Sequence, residues 1–475
     1  MSCRRISIDV AASGVKNRYL ASDAMLPDGW AKDVLIEVDA AGMISAVKGG
    51  ATTAERAGAI AIENPVIPGM PNVHSHAFQR AMAGTTERAG PAGDNFWSWR
   101  EQMYRFLDVL TPEDVETIAT YLYVEMLEAG YTSVAEFHYL HHAPDGQRYA
   151  DPAEMARRIV SAAEAAGIGL TLLPVLYQHS GFDRNGPVRG QRRFVHRIDD
   201  YAALIASCRK DLPEGMRLGI APHSLRAVGP AEFADLLAIA RTLPDDAPWH
   251  VHAAEQEQEV ADCVAATGER PVQWLLNHAN LNRHWCVVHA THMTSLESAG
   301  LAASGAVAGL CPSTEADLGD GLFDAEGFLK HDGFIGLGGD SHVAVDPFFE
   351  LRLFEYGQRL TKLRRNLSEV KTGASVGDEL YRRALVGGAR AVAQPTGGLT
   401  AGARADWLVL DRDDPSLCGR PVDTLLDAAI FAPRSRPIKD VMAAGRLLVC
   451  DGVHHAREAA ESRYRVVIQR LLGSR

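Results

Sequence analysis

A chain of 475 residues is too long for one ordinary compact domain and suits one large domain with a smaller one. Its composition, 47% hydrophobic and 23% charged, is that of a globular protein that can bury a core without disulfides. A formal charge of -12 leaves no basic face to neutralise phosphates, which excludes nucleic acid as the expected partner.

The seven cysteines (Cys3, Cys208, Cys263, Cys286, Cys311, Cys418, Cys450) are scattered and form no Cys-x-x-Cys pair. A zinc ribbon or disulfide framework is therefore not expected, and a reducing compartment, the cytoplasm, fits better. The start of the chain carries Arg4 and Arg5 but no apolar stretch long enough for a signal peptide. No run of about 18 apolar residues suggests a membrane span.

Residues 1–18 read as a loose extension. Residues 19–66 are strand-like, with apolar runs at 34–38 and 44–47 broken by turn signals at Pro27-Asp28-Gly29 and Ala41-Gly42. The segment from Gly397 onward reads similarly, with a strand ending at Leu410 and another pair over 441–449 around Gly445. The two ends, 19–66 and 392–475, are expected to assemble one small β-sandwich domain.

Between them, residues 67–391 alternate short apolar strands with helices, the pattern of a parallel α/β sheet. Strands are expected to end near Val73, Phe137, Leu176, Pro222, His252, His289, Leu310 and Gly339. The clearest helix has Thr111 as N-cap, Pro112 at its first position and Glu113 and Asp114 in its first turn; it runs to Ala129 and stops at Gly130. Eight such units predict a (β/α)8 barrel of the TIM type with insertions, with a doubly wound sheet as the alternative.

The histidines fall at strand ends, which in such a barrel is the face where active sites are built. His74 and His76 lie two apart as the first strand finishes, so both project to one side and can reach one ion. The fifth strand offers His250 and His252, of which His252, nearer the end, is the expected ligand and His250 a hydrogen-bonded core residue. The sixth strand ends on His289. The eighth ends on Asp340 after small residues, and an aspartate at such an apolar strand end is costly to bury without a cation. Three imidazoles and a carboxylate with an open position suit a hydrolytic zinc ion; iron or manganese is compatible with the same residue types. One ion is expected, because the fourth strand ends in Ile220-Ala-Pro-His223 with no lysine to bridge a second.

With these residues in place, the chain resembles the amidohydrolase superfamily in its mononuclear deaminase branch. The strings Met70-Pro-Asn-Val-His-Ser-His-Ala-Phe-Gln-Arg-Ala-Met-Ala-Gly84, Phe96-Trp-Ser-Trp-Arg-Glu101, Ala135-Glu-Phe-His-Tyr139, Pro222-His-Ser-Leu-Arg226 and Trp249-His-Val-His-Ala-Ala-Glu-Gln256 are similar to the formimidoylglutamate deiminases. The resemblance covers everything from Tyr19 to the C-terminus. It implies hydrolysis of N-formimino-L-glutamate to N-formyl-L-glutamate and ammonia, a step of histidine degradation. In that reading Asp340 accepts a proton from water, Glu255 passes one to the leaving nitrogen, and His289 hydrogen-bonds the attacking water. Glu255 alone would read as a helix-start carboxylate on a solvated acidic stretch with Glu257 and Glu259.

A dicarboxylate substrate needs groups to hold it. Arg226 offers a bidentate donor fork and His223 a second donor, both just past the fourth strand. Gln79 and Tyr139 are polar groups at the ends of strands one and two. Arg100, amid Trp97 and Trp99, reads equally as a substrate group or as a helix arginine packed on aromatics. Two rivals stand beside this reading: a deaminase of a purine or pyrimidine-like base, and a binding protein that keeps the barrel without catalysis. A homodimer is the default assembly.

Overall fold

The computed structural model of the chain describes residues 17–87, 94–366 and 373–473. The extension expected over 1–18 lies almost wholly outside the described residues.

Eight parallel staves form the expected barrel. In chain order they are Met70–Ser75, Tyr131–His138, Gly169–Leu176, the pair Arg217–Leu218 and Ala221–Pro222, Trp249–Ala253, Trp285–His289, Val307–Leu310 and Phe334–Leu337. Each pairs with its chain neighbour, and the first also pairs with the eighth through Asn72 and Leu337. Parallel bridges from Ile220 to Trp249 and from Ser224 to His252 close the ring between the fourth and fifth staves. A closed ring excludes the doubly wound alternative, whose sheet stays open. The fourth stave is broken at Gly219, where a Cβ would sit 2.5 Å from the Pro248 carbonyl oxygen; only glycine lets the two backbones approach so closely.

The helix Pro112–Ala129 follows from its local chemistry. Thr111 accepts a hydrogen bond from the Asp114 amide at 3.2 Å, Asp114 accepts one from the Thr111 amide at 2.9 Å, and Gly130 ends the helix at φ 102°. Its apolar side, including Ile118, Leu122 and Met126, is buried against the barrel.

Both ends of the chain build a separate nine-stranded mixed sheet. Strands Asn17–Leu26, Gly29–Val38 and Ile44–Lys48 reach the C-terminal strands Trp407–Leu410, Ile438–Ala443 and Arg446–Cys450 through Val66–Pro68. Trp407 opposes Pro68 in that antiparallel join, and Tyr19 meets the Trp407 ring edge-on at 5.2 Å within a core of their own.

The tail read as strand-rich also carries two helices, Leu425–Phe431 and Arg457–Gly473. The last one packs on the outside of the barrel: Tyr464 stacks on Tyr121 at 4.1 Å, and Arg457 pairs with Glu128 at 3.0 Å. Only Ala460 and Leu471 of this helix are buried, so no apolar stripe in the sequence marks it.

Candidate active site

His74 is the penultimate residue of the first stave, and His76 caps the short helix Ala77–Met82 that follows. Their Nε2 atoms are 3.2 Å apart, and His252 Nε2, from the fifth stave, is 3.0 Å from that of His74. Asp340 Oδ1 lies 3.2 Å from His76 Nε2 and 3.7 Å from His74 Nε2. All four side chains are buried.

Two of these rings are oriented from behind. His76 Nδ1 donates to the Phe137 carbonyl at 2.8 Å and His252 Nδ1 to the His223 carbonyl at 2.9 Å, which turns both Nε2 lone pairs inward. Burial keeps the imidazoles neutral, pushing His76 down to about 3 and His74 and His252 well below the ordinary value. Burial also lifts the Asp340 carboxyl to about 7. Lone pairs converging at 3.0–3.2 Å repel unless a cation lies among them. A tetrahedral ion with metal–nitrogen bonds of about 2.0–2.1 Å sets its nitrogens roughly 3.3 Å apart, so the donor set fits one divalent ion.

His289 stands beside this cluster, its ring stacked on His252 at 5.5 Å and its backbone at φ 67°. Its Nδ1 donates to Glu315 Oε1 at 3.2 Å, and the Cys311 amide donates to the same oxygen at 2.9 Å. Its Nε2 faces Asp340 Oδ2 at 3.7 Å and Glu255 Oε1 at 3.8 Å. Burial pulls the His289 pKa down, but the charges of Glu255, Glu315 and Asp340 outweigh it and hold the value well above the ordinary one. Glu255 is buried, and so is Glu259, whose Oε2 accepts from the Glu255 amide at 3.0 Å; only Glu257 is exposed. The solvated acidic stretch expected as the alternative is therefore absent. His250 donates from Nε2 to the Ala391 carbonyl at 2.9 Å, away from the cluster.

A pocket opens over these groups. His76, His252, Asp340 and Glu255 line its floor, and Gln79, Tyr139, His223, Arg226 and Arg100 line its walls. Gln79 Nε2 donates to the Tyr139 hydroxyl at 2.6 Å, leaving Gln79 Oε1 buried without a partner. His223 Nδ1 is 3.1 Å from Ser224 Oγ. The guanidinium carbons of Arg100 and Arg226 lie 4.4 and 5.6 Å from the centre of the same Trp97 ring. Arg100 thus both packs on aromatics and faces the cavity. Arg226 is 7% exposed, and its Nε is buried without a partner, as are Nε and Nη1 of Arg100. Among the described residues neither guanidinium has a carboxylate partner.

Over residues 66–448 the sequence matches the profile of the Amidohydrolase family. The chain belongs to the amidohydrolase family. The resemblance to the formimidoylglutamate deiminases is borne out as well. The formimidoylglutamate deiminase of Pseudomonas aeruginosa is 50% identical over 455 residues, covering 95% of this chain and 99% of that protein. The crystal structure of an amidohydrolase from Brucella melitensis superposes with a TM-score of 0.90 at 46% identity, covering 96% of this chain and all of that one. An adenosine deaminase from Xanthomonas campestris with bound zinc superposes with a TM-score of 0.78 over 96% of this chain and 98% of that one; at 22% identity it supports the fold alone.

Several residues of this amidohydrolase's pocket escaped the sequence reading. Tyr177 follows the third stave directly, and Ser341 follows Asp340; strand-end position was a usable signal for both. Phe194, Met103 and Trp99 come from loops and a helix outside the staves, and no local pattern points them inward. Glu315 lies on the helix Pro312–Leu318 after the seventh stave, where no chemistry was expected.

Proposed function

We propose that this amidohydrolase hydrolyses N-formimino-L-glutamate to N-formyl-L-glutamate and ammonia, as a step of histidine degradation. The observation that carries the reading is the pair of guanidinium groups, Arg100 and Arg226, neither in an ion pair among the described residues, on a pocket that His76, His252 and Asp340 also line. Guanidinium nitrogens buried without a hydrogen-bond partner are costly, and a ligand with two carboxylates relieves both. The 50% identity to the Pseudomonas aeruginosa deiminase over nearly the whole chain supports the same substrate.

His74, His76, His252 and Asp340 would hold one zinc ion, which would supply an acidified water. Asp340 is placed to take a proton from the attacking water. His289, fixed by Glu315, hydrogen-bonds the attacking oxygen and then the tetrahedral centre. Glu255 delivers a proton to the departing nitrogen, so that ammonia leaves as a neutral molecule. Gln79, Tyr139 and His223 orient the chain of the substrate between the two ends. The barrel, residues 67–391, carries this chemistry, and 19–66 with 392–475 form the smaller domain that braces it. A cytoplasmic homodimer completes the proposal; Cys208, Cys263, Cys286, Cys311 and Cys418 are free thiols, which fits a reducing compartment.

Ammonia release from N-formimino-L-glutamate, measured beside a panel of aminopurines and aminopyrimidines, tests the assignment. Turnover of a purine at a comparable kcat/KM, or no ammonia from any compound, refutes it.

A further inference from the structure

Part of the pocket wall comes from chain outside the staves. The helix Phe96–Leu107 carries Trp99, Arg100 and Met103, Tyr139 follows the second stave, and Tyr177 and Phe194 lie beyond the third. These segments meet at Arg193, which does not itself line the pocket. Its side chain is buried, and no carboxylate pairs with it among the described residues; Asp108 pairs with Arg192 instead, at 2.7 Å. The guanidinium donates to backbone carbonyls: Nη1 to Leu107 and, at 3.0 Å, to Leu110, and Nε to His142 at 2.8 Å. The Arg193 carbonyl in turn accepts from the amides of His141 and His142, at 2.9 and 3.1 Å.

Leu107 is the last residue of the helix Phe96–Leu107. The final carbonyls of a helix lack partners within it and carry the negative end of its dipole. A guanidinium set there satisfies them and fixes where the helix end lies. It stays charged at neutral pH, since burial pulls its pKa down only to about 10. The same segment meets the helix again at Gly190, where a Cβ would sit 2.3 Å from the Tyr104 ring. Gln191 Nε2 donates to the Tyr177 hydroxyl at 2.9 Å, and the Phe194 ring meets Tyr139 edge-on at 4.8 Å. Residues 190–194 therefore tie the helix to the ends of the second and third staves, about two turns along the helix from Arg100.

We propose that Arg193 is a positioning residue for substrate selection: it holds the helix Phe96–Leu107 against the barrel and so keeps the Arg100 guanidinium where a substrate carboxylate meets it. The carboxylate role of Arg100 rests on the function proposed above; the hold on the helix does not. Because Arg193 reaches neither the pocket nor the histidine cluster, its loss acts on binding and leaves the metal centre in place.

The test uses the full-length zinc-loaded enzyme with the variants Arg193→Met and Arg193→Lys. Amide hydrogen exchange is compared first, without substrate. Arg193→Met should exchange at least about tenfold faster over residues 96–107, with the staves and the zinc content as in wild type. With N-formimino-L-glutamate, KM should rise about tenfold or more while kcat stays within about threefold. Arg193→Lys should recover part of both losses, because an ammonium cannot reach all the carbonyls that the planar fork spans. A double-mutant cycle with Arg100→Met separates positioning from general support: once Arg100 is gone, Arg193→Met should raise KM by less than about threefold more. Unchanged exchange over 96–107, or faster exchange that spreads to the staves with loss of zinc, overturns the hold on the helix. Faster exchange with an unchanged KM, or losses at Arg100 and Arg193 that simply multiply, overturns the positioning role. If Arg193→Met does not fold, Arg193→Lys decides the same comparisons by the same signs. The exchange measurement needs no substrate, so a wrong substrate assignment shows separately, as wild type that releases no ammonia.

Discussion

Arg226→Met separates substrate binding from structural support. The Arg226 side chain is buried, makes no ion pair or hydrogen bond among the described residues, and lies 5.6 Å from the Trp97 ring. In the free enzyme it is a desolvated cation that feels the charges of Glu255 and Glu259 without an ion pair to either, so its removal should lower thermal stability only slightly. With substrate bound, the loss of a charge-assisted pair in a desolvated pocket costs about 2–5 kcal/mol. That corresponds to a fall in kcat/KM of roughly 30-fold to several thousandfold. Ammonia release at sub-saturating N-formimino-L-glutamate measures the loss, with zinc content as the control. Arg226→Lys should recover only part, because an ammonium cannot supply the two-pronged contact. A substrate lacking one carboxylate completes the cycle: wild type and Arg226→Met should process it almost equally badly. If the variant is instead far worse than wild type on that compound too, or if it unfolds at a markedly lower temperature, the carboxylate role of Arg226 is refuted.

The remaining predictions concern the metal, the proton carrier and acid stability. Dialysed enzyme should hold one divalent ion per chain by elemental analysis, and His76→Ala should lose both metal and turnover; two tightly held ions per chain contradict the single three-histidine position. Glu255→Gln should keep its metal while kcat falls by on the order of 10²-fold or more, and a near-normal rate at saturating substrate removes Glu255 from the proton path. Away from the metal, burial lowers the pKa values of His141, His142 and His196, the last to about 3. In the unfolded chain these residues titrate near the ordinary value of 6.5, so below it the unfolded state binds protons that the folded state refuses. Stability is therefore complete above pH 6.5 and is lost as pH falls toward 3, by up to about 1.4 kcal/mol per pH unit for each histidine. Urea midpoints at pH 7.5 and 5.5 should differ less in His196→Phe than in wild type; an equal difference contradicts the burial argument.

The staves were legible because each is a short, largely apolar run set between helical stretches, the alternation of a parallel α/β barrel. The histidine cluster was legible because strand alternation turns the spacing of His74 and His76 into a direction in space. Arg226 and His223 could be read from their position just past the fourth stave. The reading ran out where direction is set by tertiary packing. Glu315 lies five residues past the end of the seventh stave, in the first turn of a helix, and only the fold brings it to His289. Phe194 reaches the cavity from an irregular segment with no period to follow. The helix Arg457–Gly473 was missed because its partner is the outer face of another helix, held by Tyr464 on Tyr121 and by ion pairs rather than by an apolar stripe.

Charge is ordered along the cavity, and that order bears on the choice between a linear amidine and a flat base. Glu255 and Asp340 line the cavity beside His76 and His252, while Arg100 and Arg226 line it around Trp97. A formimidoyl group is a basic amidine and carries positive charge in water, and the rest of N-formimino-L-glutamate carries two negative charges. Laid with the amidine toward the carboxylates, the molecule matches the cavity at both ends, and only this orientation brings the carbon to be attacked to the histidine cluster. A neutral purine placed at the same floor leaves both guanidinium groups desolvated and unpaired, at the cost that makes the empty pocket unfavourable in the first place. In the proposed reading, the histidine cluster serves hydrolysis of the C–N bond and the two arginines serve selection of the substrate. A dicarboxylate without the amidine, such as glutarate, should accordingly compete with substrate in wild type and cease to compete in Arg226→Met. Competition of equal strength in both proteins would place the carboxylates elsewhere and leave the ordered charge of the cavity without a ligand to explain it.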